Sequence, residues 1–301
     1  MNLFYSDVFV LPLPSHHRFP MGKYARLRDR LLGTGEFGAD DFGVPAAVTD
    51  AEIKRVHCPA YLHRVATGSL SAAEQKAIGF PWSERMVERS RRSSGATLAA
   101  AREALTRGWA ANLAGGTHHA FRDRGEGFCV LNDVAIASRA LQAEAGLTRI
   151  AVIDCDVHQG NGTAAIFAGD DSVFTFSIHG ARNFPFAKES SDLDVELADG
   201  TGDDEYLWHL ERALDETMER SRPQLAFYLA GADPYEGDRL GRLKLTKAGL
   251  ARREEMVLGT LASRRIPVAI AMAGGYARDI EDSVEIHANT IRAARRMWET
   301  A

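Results

Sequence analysis

Residues 150–163 read IAVIDCDVHQGNGT. An apolar, largely β-branched run stops at Asp154, and Asp156, His158 and Asn161 follow at once. A run without polar alternation is the pattern of a strand buried on both faces of a parallel sheet. WAANLAG (109–115), VFTFSIH (173–179), LAFYLAGAD (225–233) and VAIAMAGGY (268–276) share it. Helical patterns fill the gaps at 82–107, 130–145, 203–219 and 246–263, and a last one runs over 279–298. Thr246 reads as an N-cap. Strand–helix alternation predicts βαβ units and a parallel sheet with helices on both sides. The N-terminal part is less regular: FPMGKYARLRDRLLG (19–33) reads as one helix and DAEIKRVHCPAYLHRVATG (50–68) as two short ones. No linker of Ser, Pro or Gly separates the two parts, so residues 1–301 are expected to form a single domain.

Composition narrows the function. The chain has 301 residues, 45% hydrophobic and 26% charged, with a formal net charge of −5. No basic block marks a nucleic-acid surface. The first residues lack the basic start of a signal peptide. No apolar run reaches the ~18 residues of a membrane span, so neither nucleic acid nor membrane is expected as a partner. Cys58, Cys129 and Cys155 are far apart and odd in number, which suits reduced thiols in the cytoplasm.

In open α/β sheets ligands bind beyond the carboxyl ends of the strands. The five apolar runs lead into His118–His119, into Asp154, Asp156 and His158, into Ser177 and His179, into Asp233, and into Gly274-Gly275-Tyr276. In extended chain, residues two apart share a face. Asp154, Asp156 and His158 therefore share one face if the strand persists. Two carboxylates so placed need a compensating cation, and two carboxylates with one imidazole are an acceptable catalytic zinc set. The plainer alternative is an Asp-rich loop that caps the next helix. The pattern leaves open which of the three bind, and Asp233 is a further candidate. Neutral imidazoles at His118 and His119 can take and return protons, with Asp154 and Asn161 as their natural partners. Tyr276, beside two glycines, can donate to an oxyanion, a role worth roughly 3–4 kcal/mol.

GGTHHA (115–120), GEGFCVLNDVAIA (125–137), DCDVHQGNGT (154–163), GADPYEGD (231–238) and AGGY (273–276) together resemble the histone deacetylase family, the zinc-dependent lysine deacylases. LPLPSHHRFPMGKY (11–24) adds to the resemblance. GTHHAF and ARNFPFAKESSDLDVEL (181–197) look most like its class IV members and their bacterial relatives. The resemblance implies an arginase-like α/β fold, with a parallel sheet of about eight strands under helices on both faces. It implies zinc ligands Asp156, His158 and Asp233, and it moves Asp154 from the metal face to partner His118. His118 and His119 become the general base and acid, and Tyr276 the electrophile. A potassium ion would sit by Asp154, Ser177 and the main-chain carbonyls of Asp156, His158 and Ile178. Gly127 and Phe128, Gly274 and Gly275, and Phe184 or Phe186 would line the substrate tunnel. Asn161 departs from the Asp that many class I members carry beside the second His. The implied activity is hydrolysis of an acyl-lysine amide in a protein or of a small acylated amine, and the class IV likeness leans towards fatty-acyl removal. A two-manganese ureohydrolase of the same fold and a non-catalytic acyl-lysine binder are the rival readings.

Overall fold

The computed structural model describes residues 2–14 and 17–300. Ser15 and His16 of the LPLPSHHRFPMGKY stretch lie outside the described residues, as do Met1 and Ala301 at the ends of the expected domain. Four of the five apolar runs without alternation become strands buried at every position: β3 (Trp109–Asn112), β4 (Ile150–Asp154), β7 (Leu225–Leu229) and β8 (Val268–Ala271). Since side chains alternate across a strand, such burial requires cover on both faces of the sheet. The other strands are β1 (Leu3–Phe4), β2 (Phe42–Gly43), β5 (Val173–Gly180) and β6 (Leu193–Leu197). All eight pair parallel in the order β2-β1-β3-β8-β7-β4-β5-β6.

Among the described residues ten α-helices connect and cover the strands. They are α1 (Lys23–Gly33), α2 (Asp50–Lys54), α3 (Pro59–Thr67), α4 (Ala72–Ile78), α5 (Glu84–Arg107), α6 (Asp133–Ala145), α7 (Asn161–Phe167), α8 (Asp203–Ser221), α9 (Lys247–Ser263) and α10 (Ile280–Glu299). Side-chain caps set several starts: Ser83 accepts from Met86 N–H, Asn132 from Ala135 N–H, and Thr246 from Gly249 N–H. Each cap satisfies a donor that the first turn leaves orphaned. α5 packs on β3, β8 and α6, while α8 packs on β5, β6 and α9. One continuous apolar core runs from Leu3 to Ala294. No helix of the described residues is long and apolar enough to cross a membrane.

Order in the sheet decides where chemistry can gather. β3, β8, β7 and β4 are consecutive neighbours at its centre. The His pair follows β3, Tyr276 follows β8, Asp233 follows β7, and the Asp154–His158 stretch leaves β4. Strands far apart in sequence thus deliver four polar segments side by side at one edge.

Candidate active site

β4 ends at Asp154. Beyond it the alternation of faces no longer holds, and this corrects the expectation that Asp154, Asp156 and His158 share a face. Asp154 Oδ2 turns to His118 Nδ1 at 2.6 Å. Asp156 and His158 turn instead to Asp233, and one ligand atom from each of these three residues lies within 4.8 Å of the others. His158 Nδ1 sits 2.8 Å from Asp156 Oδ1 and 3.2 Å from Asp233 Oδ2. The remaining carboxylate oxygens are tied to backbone: Asp156 Oδ2 accepts Gly274 N–H at 2.7 Å, and Asp233 Oδ1 accepts Val157 N–H at 3.0 Å. Asp233 Oδ2 is buried and accepts no well-formed hydrogen bond. Gly274 must be glycine, since a Cβ there would stand 1.9 Å from that oxygen.

Electrostatics push these groups apart. Burial raises the Asp233 carboxyl to about 6, and the nearby Asp156 charge adds to the shift. Burial also works against the Asp156 charge, but His118 and His158 outweigh it and hold that carboxyl below the usual range. For His158 the cost of burial is overcome by Asp156 and Asp233, which lift it to about 10. Two buried carboxylates thus draw one positive charge to the point where their oxygens and His158 Nδ1 converge. Asp156, His158 and Asp233 form a donor set of the kind that suits zinc.

The paired histidines form part of a longer chain of hydrogen bonds. Asp154 Oδ2 meets His118 Nδ1, and His118 Nε2 lies 3.1 Å from His119 Nε2. His119 Nδ1 lies 2.7 Å from Asn161 Oδ1, and Asn161 Nδ2 donates to Glu126 Oε1 at 2.8 Å. His118 is pulled down by burial, yet Asp154 and Asp156 raise it to about 9. His119 lies well below its ordinary value, through burial first and the charges of His118 and His158 next. The two imidazoles are thus pushed in opposite directions, His118 towards its charged form and His119 towards its neutral one.

Above this pair opens an apolar cavity of about 590 Å³, lined by Ala73, Ala77, Phe128, Phe184, Leu240 and Tyr276 among others. Gly127 has φ 56°, and a Cβ there would meet His119 Cδ2 at 2.5 Å. Phe184 packs edge-on against the His119 ring at 4.9 Å. Of the two phenylalanines expected opposite Phe128, Phe184 lines the cavity. Phe186 is 85% exposed and stands outside the lining, because its ring packs only on the outer side of Phe184. Gly275 also departs from the expected tunnel wall: its Cα faces Ala232, Ser283 and His287 behind the loop. At the site itself lies a second cavity of only about 30 Å³, lined by His118, His119, Asp156, His158 and Tyr276 and reaching Tyr24, Arg89 and Ala273.

Other residues that shape the site were not singled out in the sequence. Asp238, the last residue of GADPYEGD, accepts the Tyr276 N–H at 2.6 Å and so fixes the tyrosine loop. Lys23, buried under Tyr276, donates to the Ala273 carbonyl at 3.0 Å. Asp133 accepts the backbone N–H groups of Gly116 and Thr117 and braces the loop before the His pair. Each lies inside a stretch that carries the resemblance, but a carboxylate that serves backbone amides leaves no spacing signal. Ser177 lies beside Asp154 in the β4–β5 register, and its hydroxyl meets His179 Nδ1. Ile178 is buried next to it.

A parallel α/β sheet whose central strand ends gather a buried Asp/His/Asp group under a histidine pair describes a class of hydrolase. Residues 17–291 match the family model for the histone deacetylase domain. The chain is 45% identical to an uncharacterized protein of Picosynechococcus sp. over 98% of each sequence. It is 30% identical to histone deacetylase 2 of Arabidopsis thaliana over 93% of this chain and 76% of that one. The crystal structure of the HDA15 HD domain superposes with a TM-score of 0.79 at 21% identity, over 100% of this chain and 91% of that one, and shares the fold. The chain belongs to the histone deacetylase family and is a hydrolase of that family.

Proposed function

We propose that the chain is one catalytic domain, a zinc-dependent deacylase that hydrolyses the side-chain amide of acyl-lysine in a protein or of a small acylated amine. The observation that carries this reading is the convergence of Asp156, His158 and Asp233 on one buried point at the foot of an apolar tunnel. Asp156, His158 and Asp233 would hold the zinc, their ligand atoms already gathered around His158 Nδ1 at 2.8 and 3.2 Å. The orphaned Asp233 oxygen gains its partner there. When bound, zinc supplies Lewis-acid polarisation and lowers the pKa of a water from ~15.7 towards ~7.

The chain's own residues do the rest. Phe128 and Phe184 hold the aliphatic stem of lysine and exclude water. His119, neutral, accepts the proton of the attacking water at Nε2. His118, charged beside Asp154, returns a proton to the leaving amine. The Tyr276 hydroxyl donates to the negative charge that develops on the acyl oxygen as the carbon is attacked. Asp154, the Ser177 hydroxyl and the carbonyls of Asp156, His158 and Ile178 would hold a potassium ion that steadies this loop. Four ring nitrogens of the His pair are engaged by Asp154, by one another and by Asn161, which favours proton transfer over ligation of a second, manganese-type metal. The three cysteines, all free, suit the reducing cytoplasm. Turnover of a fluorogenic acetyl-lysine peptide by the zinc-loaded chain tests the reading; a loaded, folded protein with no turnover of acyl-lysine or acylated amines would overturn it.

A further inference from the structure

The hydrogen-bonded chain through the histidines ends in a carboxylate at each side: Asp154 at one end, Glu126 at the other. A carboxylate only accepts, whereas the Asn161 side chain has one accepting and one donating face. Because Glu126 Oε1 can only take the Asn161 Nδ2 proton, the amide oxygen is forced towards His119. That oxygen in turn can only accept, so His119 Nδ1 must be its donor. The Nε2 atom is then left with a lone pair, which in this structure meets His118 Nε2 at 3.1 Å and is the one ring position of His119 that can accept a proton.

We propose that Glu126 is a positioning residue for His119: it fixes the Asn161 amide and, through it, the proton on His119 Nδ1. The inference rests on the reading of His119 as a proton acceptor in amide hydrolysis. Its physical need is plain from the departure already noted. An Asp beside His119 would accept from Nδ1 in either orientation. An Asn does so in only one of two orientations of nearly equal shape, and something must choose between them. Glu126 is built to choose. It sits in a tight turn where Cys129 N–H bonds to the Glu126 carbonyl at 2.9 Å. The same turn is tied to α4 by Gly127 N–H to the Ala77 carbonyl at 3.0 Å and Phe128 N–H to the Ile78 carbonyl at 2.8 Å.

The test uses the full zinc-loaded chain with ¹⁵N-labelled histidine, the His119 signals being assigned from a His119→Ala sample. In the native protein the His119 Nδ1 resonance is that of a protonated nitrogen. In Glu126→Gln the new amide can donate as well as accept, so Asn161 is free to turn, and the Nδ1 resonance moves towards the unprotonated position. On an acetyl-lysine peptide the same variant loses roughly ten- to a hundredfold in kcat, with KM and zinc content unchanged. The double variant Asn161→Asp/Glu126→Gln, with an acceptor-only group restored beside His119, recovers both the resonance and most of kcat. A merely structural role for Glu126 would not be rescued from position 161. A Glu126→Gln protein with the native His119 resonance overturns the inference. If the native chain shows no turnover, the deacylase reading fails while the resonance still decides the role of Glu126.

Discussion

Tyr276 closes the site from the loop after β8, buried near the carboxylates of Asp233 and Asp156. Its pKa lies well above the ordinary phenol, through burial first and the charges of Asp233 and Asp156 next. A phenol so placed keeps its proton and can donate it in a hydrogen bond. Tyr276→Phe should keep zinc and fold, yet lose on the order of a hundredfold or more in kcat; steady-state kinetics beside metal analysis checks this, and full turnover in the variant would remove the oxyanion role. Most of the site was legible at this scale. His118, His119, Asp156, His158, Asp233 and Tyr276 meet at one point as the motifs implied. Asp154 misled, since its strand ends at that very residue and the rule of alternate faces fails one step later. Glu126 was invisible because its partner, Asn161, lies in another motif and only folding joins them.

Elements were readable where burial leaves a pattern. β3, β4, β5, β7 and β8 fall within the five apolar runs, and α5, α8, α9 and α10 begin within two residues of their expected starts. β1 and β2 have two residues each, too few for any period. β6 reads LDVEL because it is an edge strand with one partner and a mostly open face. α4 spans seven residues behind the capping box of Ser71 and Glu74, a signal present in the sequence but not acted on. The start of α6 carries a pH dependence. His57 Nε2 accepts the Asn132 N–H at 3.0 Å, and burial lowers His57 to about 4. Because this folded pKa lies below the unfolded value of about 6.5, the unfolded chain binds the extra proton first as pH falls. Stability is therefore full above 6.5 and declines down to about 4. Between pH 7 and 5, His57 should account for roughly 2 kcal/mol of lost stability. Urea denaturation of the native chain and of His57→Gln at both pH values measures it; equal losses in the two proteins would contradict the assignment.

Across the whole molecule, the tunnel is assembled from α4, the 125–129 turn, the 181–197 segment and the loop after β7, all remote from one another in sequence. Its outer part is wide, at about 590 Å³, and its inner end narrow, at about 30 Å³. The narrow end is lined by the reacting residues themselves, with Tyr24 and Arg89 beside them. For the deacylase proposed above, this tight lining leads us to expect short acyl groups rather than the fatty acyl of the class IV likeness. In a series of lysine peptides with acyl chains from two to about sixteen carbons, kcat/KM should peak at acetyl and fall by at least about tenfold for long chains, the loss expected when several methylenes find no room. A maximum at long chains would show that the inner wall, Tyr24 and Arg89 included, yields to substrate.

All of the proposed roles depend on one ion that Asp156, His158 and Asp233 would hold. Metal content of the purified chain after zinc loading, set beside Asp156→Asn and Asp233→Asn, tests that most directly. The account predicts about one zinc for each native chain and little in either variant. A native chain that takes up no zinc, or variants that retain it in full, would contradict it.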